Sequence, residues 1–343
     1  MGNVFARPRK LTIEAESLQM MGRSPLILKV FREIERIRSR DTAVFISGEV
    51  GTGKKLAAKL IHHNSPRSEG PFVVVNSESI PEELLEIELF GIEKDPSTGV
   101  SEKRTGKIEA AESGTLFLNE IAGLDSRLQE KILRFIIEKE FIPAGSDRKI
   151  KSNVRMIIAT KRDPKEIVAS GLLKEDLYHY LQQTHIKLPL LKERKEDILP
   201  LAKHFLKETT ERFQTGSKEF TKEVKDLLLK YDWPGNVGEL KYAITRASLI
   251  SRDSAIKKGD LLIEDISLYS IKEFLERKLK HYLKSMTKLE SSNLYDVVFS
   301  EVERSLLSIV LKETEGNQLK AAKILGINRN TLRAKIKEYK ISL

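Results

Sequence analysis

The chain has 343 residues, 40% of them hydrophobic and 32% charged, with a net charge of +10, which describes a globular protein large enough for two or three domains. It has no cysteine, so disulfides and thiolate metal sites are excluded. No apolar run is long enough to span a membrane and the first residues lack the apolar core of a signal peptide, so the expected location is the cytoplasm, with no membrane partner.

Taken in order, residues 1–20 read as a short, weakly structured lead with no room for a regulatory domain. Leu26, Ile27, Val30, Ile34 and Ile37 then follow a helical period across Gly22–Arg38. Ala43–Ser47 is a buried-strand pattern that runs into Gly48-Glu49-Val50-Gly51-Thr52-Gly53-Lys54 and on into a helix through Leu60. Further β-rich runs occur at Phe72–Asn76, Thr115–Asn119, Val154–Thr160 and Thr184–Leu188, separated by helical stretches such as Pro81–Phe90 and Leu128–Ile137. Such alternation predicts a parallel sheet covered by helices on both faces. Residues 196–250 carry no strand signal and read as a helical subdomain, with Asp232–Asn236 as a turn.

The strand, glycine-rich turn and helix around Gly48–Lys54 form the context of a phosphate-binding loop. Glycines let backbone N–H groups approach a phosphate, the helix N-terminus adds partial positive charge, and Lys54 adds a full one. Lys55 stands where a Ser or Thr would hold magnesium.

Gly48–Lys54, Glu88–Gly91, Gly114–Ile121, Asp176–Tyr178, Leu190–Ile198 and Trp233–Asn236 occur in the order of one family. The chain resembles the AAA+ module of bacterial enhancer-binding proteins, the sigma-54-dependent transcriptional activators. The resemblance implies an α/β AAA+ module, a parallel sheet flanked by helices plus a helical lid, followed by an all-α helix-turn-helix domain. It also implies ATP or ADP as ligand and a ring-forming module that remodels sigma-54 RNA polymerase. The expected divisions are a lead over 1–20, the α/β subdomain over 21–190, the lid over 191–252, a linker with a helix over 253–294 and the DNA-binding domain over 295–343.

The departures from the family's pattern are concentrated where phosphoryl transfer needs charge. The Walker B strand, which in the family ends Asp-Glu, ends here in Asn119-Glu120. A neutral amide holds magnesium less well than a carboxylate, so Mg²⁺ is expected to be weak or absent, with Asn119 its one candidate ligand. Glu120 remains as a base, and Asn76 matches the asparagine that pairs with that glutamate in relatives. Lys174 and Tyr180 stand at the two arginine-finger positions, Lys161 at the sensor asparagine and Gly238 at the lid arginine. Lysine keeps charge but not the planar fork, and tyrosine keeps neither. Loss of a finger removes about 10³ to 10⁵ in rate, so efficient hydrolysis is not expected. In the segment that contacts polymerase in the family, Asp95-Pro96-Ser97-Thr98-Gly99-Val100 retains only Thr98 and Gly99, which argues against direct engagement of sigma-54.

In the linker, Ile271, Phe274, Leu275, Leu279, Tyr282, Leu283 and Met286 follow a helical period. A long helix from Leu294 to near Gly316 precedes Gln318–Leu325, the turn Gly326–Asn328 and Arg329–Tyr339, the spacing of a helix-turn-helix. The segment Gly316–Arg333 is similar to the Fis-type DNA-binding domain that ends these activators. From residue 318 onward there are seven Lys/Arg and a single acid, Glu338, an electrostatic footprint for nucleic acid. Asn328, Arg329, Asn330 and Thr331 are placed to read bases or flanking phosphates, and Arg333, Lys335 and Lys337 to hold the DNA backbone. Pairing of the long helix with its copy predicts a homodimer on a palindromic double-stranded site. The leading expectation is a DNA-binding transcription regulator whose AAA+ module binds nucleotide without acting as a motor. The alternatives are an active ATPase that remodels sigma-54 polymerase and a regulatory partner in mixed rings with a competent activator.

Overall fold

The computed structural model describes residues 9–12, 19–93, 103–261, 294–314, 316–339 and 341. The chain forms two compact units, Met1–Glu264 and Asp265–Leu343. The segment Asp95–Val100 and the linker helix expected through Ile271–Met286 lie outside the described residues.

The first unit is built on five parallel strands in the order Phe72–Asn76, Thr115–Asn119, Arg155–Thr160, Val44–Ser47, His185–Lys187. These are the five β-rich runs of the sequence, each within a residue of its expected bounds. Because successive strand residues face opposite ways, the inner strands feed two cores. Phe45, Leu116, Leu118, Met156 and Ile158 enter one with helices Glu82–Phe90, Ser126–Glu138 and Glu175–Leu181. Val44, Ile46, Phe117, Ile157 and Ala159 enter the other with helices Pro25–Ile37 and Lys54–His63. The first of those helices begins later than its periodicity indicates, because Ser24 caps it by accepting from the Ile27 amide.

Two expectations need correcting. The lead, expected to be weakly structured, carries a strand: Arg9–Thr12 pairs antiparallel with Gln19–Gly22. Met20 packs into the core beside the phosphate-binding helix and Met21 into the lid's core, an anchoring that a four-residue strand does not announce. The helical subdomain also contains a strand, Glu219–Phe220, parallel to Ala255–Ile256. Two-residue strands are too short to show a period, and their stabilisation comes from burial of Phe220 and Ile256.

The lid packs helices Ile198–Phe213, Lys222–Lys230 and Asn236–Ile250 around Leu201, Phe205, Leu228, Leu240, Ile244 and Trp233. Trp233 is buried and donates its indole N–H to Leu228 O at 2.9 Å. Asp197, fully buried, ties the lid to the sheet subdomain by accepting from Arg23 N (2.7 Å), Ser24 N (3.1 Å) and Ser24 Oγ (2.7 Å).

The described part of the second unit is three helices, Leu294–Glu313, Gln318–Leu325 and Arg329–Glu338. Leu307, Leu311, Ala321, Ala322 and Leu332 form their core, with Leu325 and Ile336 packed against it. Gly326 closes the middle helix at φ +67°, a conformation glycine adopts without strain.

Candidate nucleotide pocket and nucleic-acid interface

The phosphate-binding loop leaves the sheet at Ser47 and enters helix Lys54–His63 through Gly53. Gly51 has φ +77°, and a Cβ there would meet the Gly235 carbonyl oxygen at 2.0 Å. Only glycine fits, because the lid's backbone sits directly on the loop. Asn236, buried at φ +52°, donates its amide to Val50 O at 3.0 Å and accepts from Leu191 N at 2.9 Å. Gly238 N donates to Gly51 O at 3.1 Å. The position where the family carries its lid arginine is therefore a backbone contact.

Between loop and lid lies a cavity of about 940 Å³. Met20, Leu201, Phe205 and Val237 give it an apolar wall, while Lys54, Lys161 and Asn119 line its polar end. Arg194, 2% exposed, also lines it, and its Nε has no hydrogen-bond partner. Lys54 Nζ donates to Gly48 O (2.5 Å) and Glu49 O (3.0 Å). Burial pushes its pKa below the ordinary lysine value, opposed by the Glu120 carboxylate.

At the ends of the neighbouring strands the arrangement differs from expectation. Asn76 pairs with Asn119, whose Nδ2 donates to Asn76 Oδ1 at 3.2 Å, and not with Glu120. The parallel register sets Asn76 opposite Asn119. Glu120 then turns away in a left-handed conformation, φ +69°. Only 3% exposed, it accepts from Thr160 Oγ1 at 2.8 Å and Lys161 N at 2.9 Å. Lys161 ion-pairs with Glu78. Lys174 pairs with Glu130 of its own chain, and Tyr180 packs half-buried against the main core. Lys55 is exposed one residue beyond Lys54.

These residues fit a phosphate chain. Gly51 and Gly53 take left-handed conformations at a helix N-terminus, and Lys54 lies beside them. The usual magnesium donors of a phosphate-binding loop are replaced or engaged: Asn119 is an amide whose Nδ2 donates to Asn76, Lys55 stands in place of a hydroxyl, and each oxygen of Glu120 accepts one hydrogen bond. Among the described residues no three His, Cys, Asp or Glu side chains come together as a metal site.

In the second unit Arg329, Asn330, Thr331, Arg333 and Lys337 are exposed along helix Arg329–Glu338. Asn328 caps that helix, its side chain accepting from Asn330 N at 2.9 Å, which leaves its amide N–H groups outward. Lys335 is placed otherwise than expected. It shares a face with buried Leu332 and ion-pairs with Glu303 of the long helix at 2.6 Å, where Tyr339 also donates to Glu303 at 2.6 Å. Arg333 Nε donates to Gln318 at 3.2 Å, tying the last two helices together.

Sequence reasoning did not single out Asn236 as the lid's clasp or Glu78 as the partner of Lys161. The Trp233-Pro-Gly-Asn236 turn was the available signal for the first; nothing local marks the second.

Residues 20–187 match the Sigma-54 interaction domain, 192–267 the AAA+ ATPase lid domain and 299–339 the Bacterial regulatory protein, Fis family. The chain is 39% identical over 341 residues to the DNA-binding transcriptional regulator NtrC of Azospirillum brasilense, covering 96% of this chain and 71% of that protein. It is 38% identical to the transcriptional regulatory protein ZraR of Escherichia coli K12, covering 94% and 69%. Among solved structures it is similar to NtrX from Brucella abortus in complex with ADP (27% identity, TM-score 0.68, 94% and 70% covered) and in complex with ATP (27%, 0.67, 94% and 70%). Among the described residues no helix is long and apolar enough to cross a membrane.

Proposed function

The chain belongs to the sigma-54-dependent, DNA-binding transcriptional regulators, and from that premise we propose a regulator that binds ATP or ADP without turning ATP over efficiently. The Walker B end carries this reading. Asn119 offers magnesium a neutral amide, its Nδ2 donating to Asn76, and both oxygens of Glu120 accept hydrogen bonds, from Thr160 and Lys161. Hydrolysis needs a metal clamp, a positioned water and a charge delivered in trans. Lys174, ion-paired with Glu130 of its own chain, lacks the planar fork of an arginine, and Tyr180 has no charge. Binding is supported by the retained glycine loop and Lys54, by the apolar wall of the cavity, and by the ADP and ATP complexes of the NtrX relative.

DNA recognition falls to helix Arg329–Glu338, with Arg329, Asn330 and Thr331 at its N-terminal end for base edges. Val302, Leu306 and Ile309 form an exposed apolar stripe at three- and four-residue spacing on helix Leu294–Glu313. This stripe supports a homodimer through that helix, and so a palindromic operator. The retention of only Thr98 and Gly99 in Asp95–Val100 supports regulation without direct contact to sigma-54 through that segment. ATP turnover by the purified chain with Mg²⁺, set against Lys54→Ala, tests the reading: equal rates uphold it, and turnover that Lys54→Ala abolishes overturns it.

A further inference from the structure

The missing magnesium ligands and the added lysine fall in one place. In nucleotide-hydrolysing P-loop proteins the ion is held between the Ser/Thr of the loop and the Walker B acid. Here the strand Arg155–Thr160 lies between the loop's strand Val44–Ser47 and the strand ending at Asn119, with Ser47 opposite Thr160 and Asn119 opposite Ala159. Gly48 N donates to Thr160 O at 3.2 Å, so Lys161, the next residue, emerges between the two sides that would hold the metal. Lys161 lines the cavity together with Lys54 and Glu78, with its ammonium ion-paired to Glu78.

We propose that Lys161 supplies the positive charge that a magnesium ion otherwise brings to the nucleotide phosphates, so that this chain binds ATP or ADP independently of metal. The proposal rests on the nucleotide-binding reading above and deepens it. Two substitutions act in the same direction: Asn119 removes the ion's anionic ligand, and Lys161 adds a cation between the two sides. An ammonium donates to phosphate oxygens as a point charge; of the carboxylates that line the cavity, Glu120 accepts two hydrogen bonds, Glu78 is the ion-pair partner of Lys161 and Glu208 that of Lys241. A metal ion would have to displace Lys161 and compete with these bonds for its carboxylate ligands.

The test is equilibrium binding of ATP and ADP to the full chain in excess EDTA and in millimolar Mg²⁺, with Lys161→Ala and Lys161→Arg beside it and thermal melting to confirm folding. The expected result is that Mg²⁺ does not tighten binding. Lys161→Ala weakens it in EDTA by about 10- to 100-fold, the range of one charge-assisted contact, and Lys161→Arg restores it. Nucleotide that binds only with Mg²⁺ overturns the proposal and leaves the nucleotide-binding reading standing. A folded Lys161→Ala that binds as well as the parent in EDTA overturns it likewise. No binding in either buffer removes the nucleotide-binding reading, and the proposal with it.

Discussion

The pocket over the sheet and the helix-turn-helix at the end of the chain belong to the same protein but have kept different things. Around the phosphate-binding loop the scaffold is complete. Gly51 still allows the lid's backbone to seat, Asn236 still clasps Val50, and the strands still deliver Asn76, Asn119 and Glu120 to one edge. What has changed is the charge: an acid has become an amide, and three arginine positions have become Lys174, Tyr180 and Gly238. In the second unit both frame and charge remain, with Ala321 and Ala322 buried at the crossing, Gly326 at the turn and cations along the outer face. Packing and chemistry are separable. A fold can keep its packing while the charges set on it change.

The comparison breaks most visibly in the two cores. Trp233→Ala removes a buried indole from the lid and costs about 3–5 kcal/mol; Leu332→Ala costs about 2–5 kcal/mol in the helix-turn-helix. Unfolding followed by separate probes in each unit should show each variant lowering its own transition alone.

Acid sharpens the difference next. His62 is buried 2.9 Å from Thr115 Oγ1, and desolvation, aided by neighbouring His63 and Arg155, lowers its pKa from 6.5 to about 4. Below pH 6.5 the unfolded chain takes up a proton that the folded one refuses until about pH 4. The first unit therefore loses up to about 1.4 kcal/mol per pH unit in that window. Residues 294–343 contain no histidine. There Glu303, held below its ordinary value by hydrogen bonds from Lys335 and Tyr339, contributes stability that is lost only as the pH falls below 4.5. Melting temperature against pH should show the first unit weakening first, with His62→Gln flattening its slope.

Smaller effects separate the two binding functions. Arg329→Ala should cost about 1–3 kcal/mol in operator affinity and relax preference at one position, whereas Lys54→Ala should leave the DNA isotherm unchanged and weaken nucleotide binding. Lys337→Ala should weaken all DNA sequences alike and lower the salt slope by about one. Lys335→Ala should act through stability rather than the salt slope, since Lys335 is paired with Glu303.

The five strands were legible because parallel strands under helices are near-continuous apolar runs, Val44–Ser47 and Arg155–Thr160 being buried throughout, and the helix-turn-helix because its small residue, glycine and asparagine caps lie within one short segment. The contacts that finish the pocket were not legible. Asn236 and Val50 are 186 residues apart and Lys161 and Glu78 are 83 apart. Neither pair leaves a local pattern, since chain topology alone brings them together. The turn of Glu120 away from Asn76 was hidden for a related reason, being set by strand register and one left-handed residue.

The central claim, that the pocket kept its frame and lost its reaction, is tested most directly by ATP turnover of the parent chain beside a variant carrying Asn119→Asp, Lys161→Asn, Lys174→Arg, Tyr180→Arg and Gly238→Arg. The account predicts a parent no faster than Lys54→Ala and a variant faster by about 10³ or more. A parent that already hydrolyses ATP, with Lys54→Ala abolishing the activity, would contradict it.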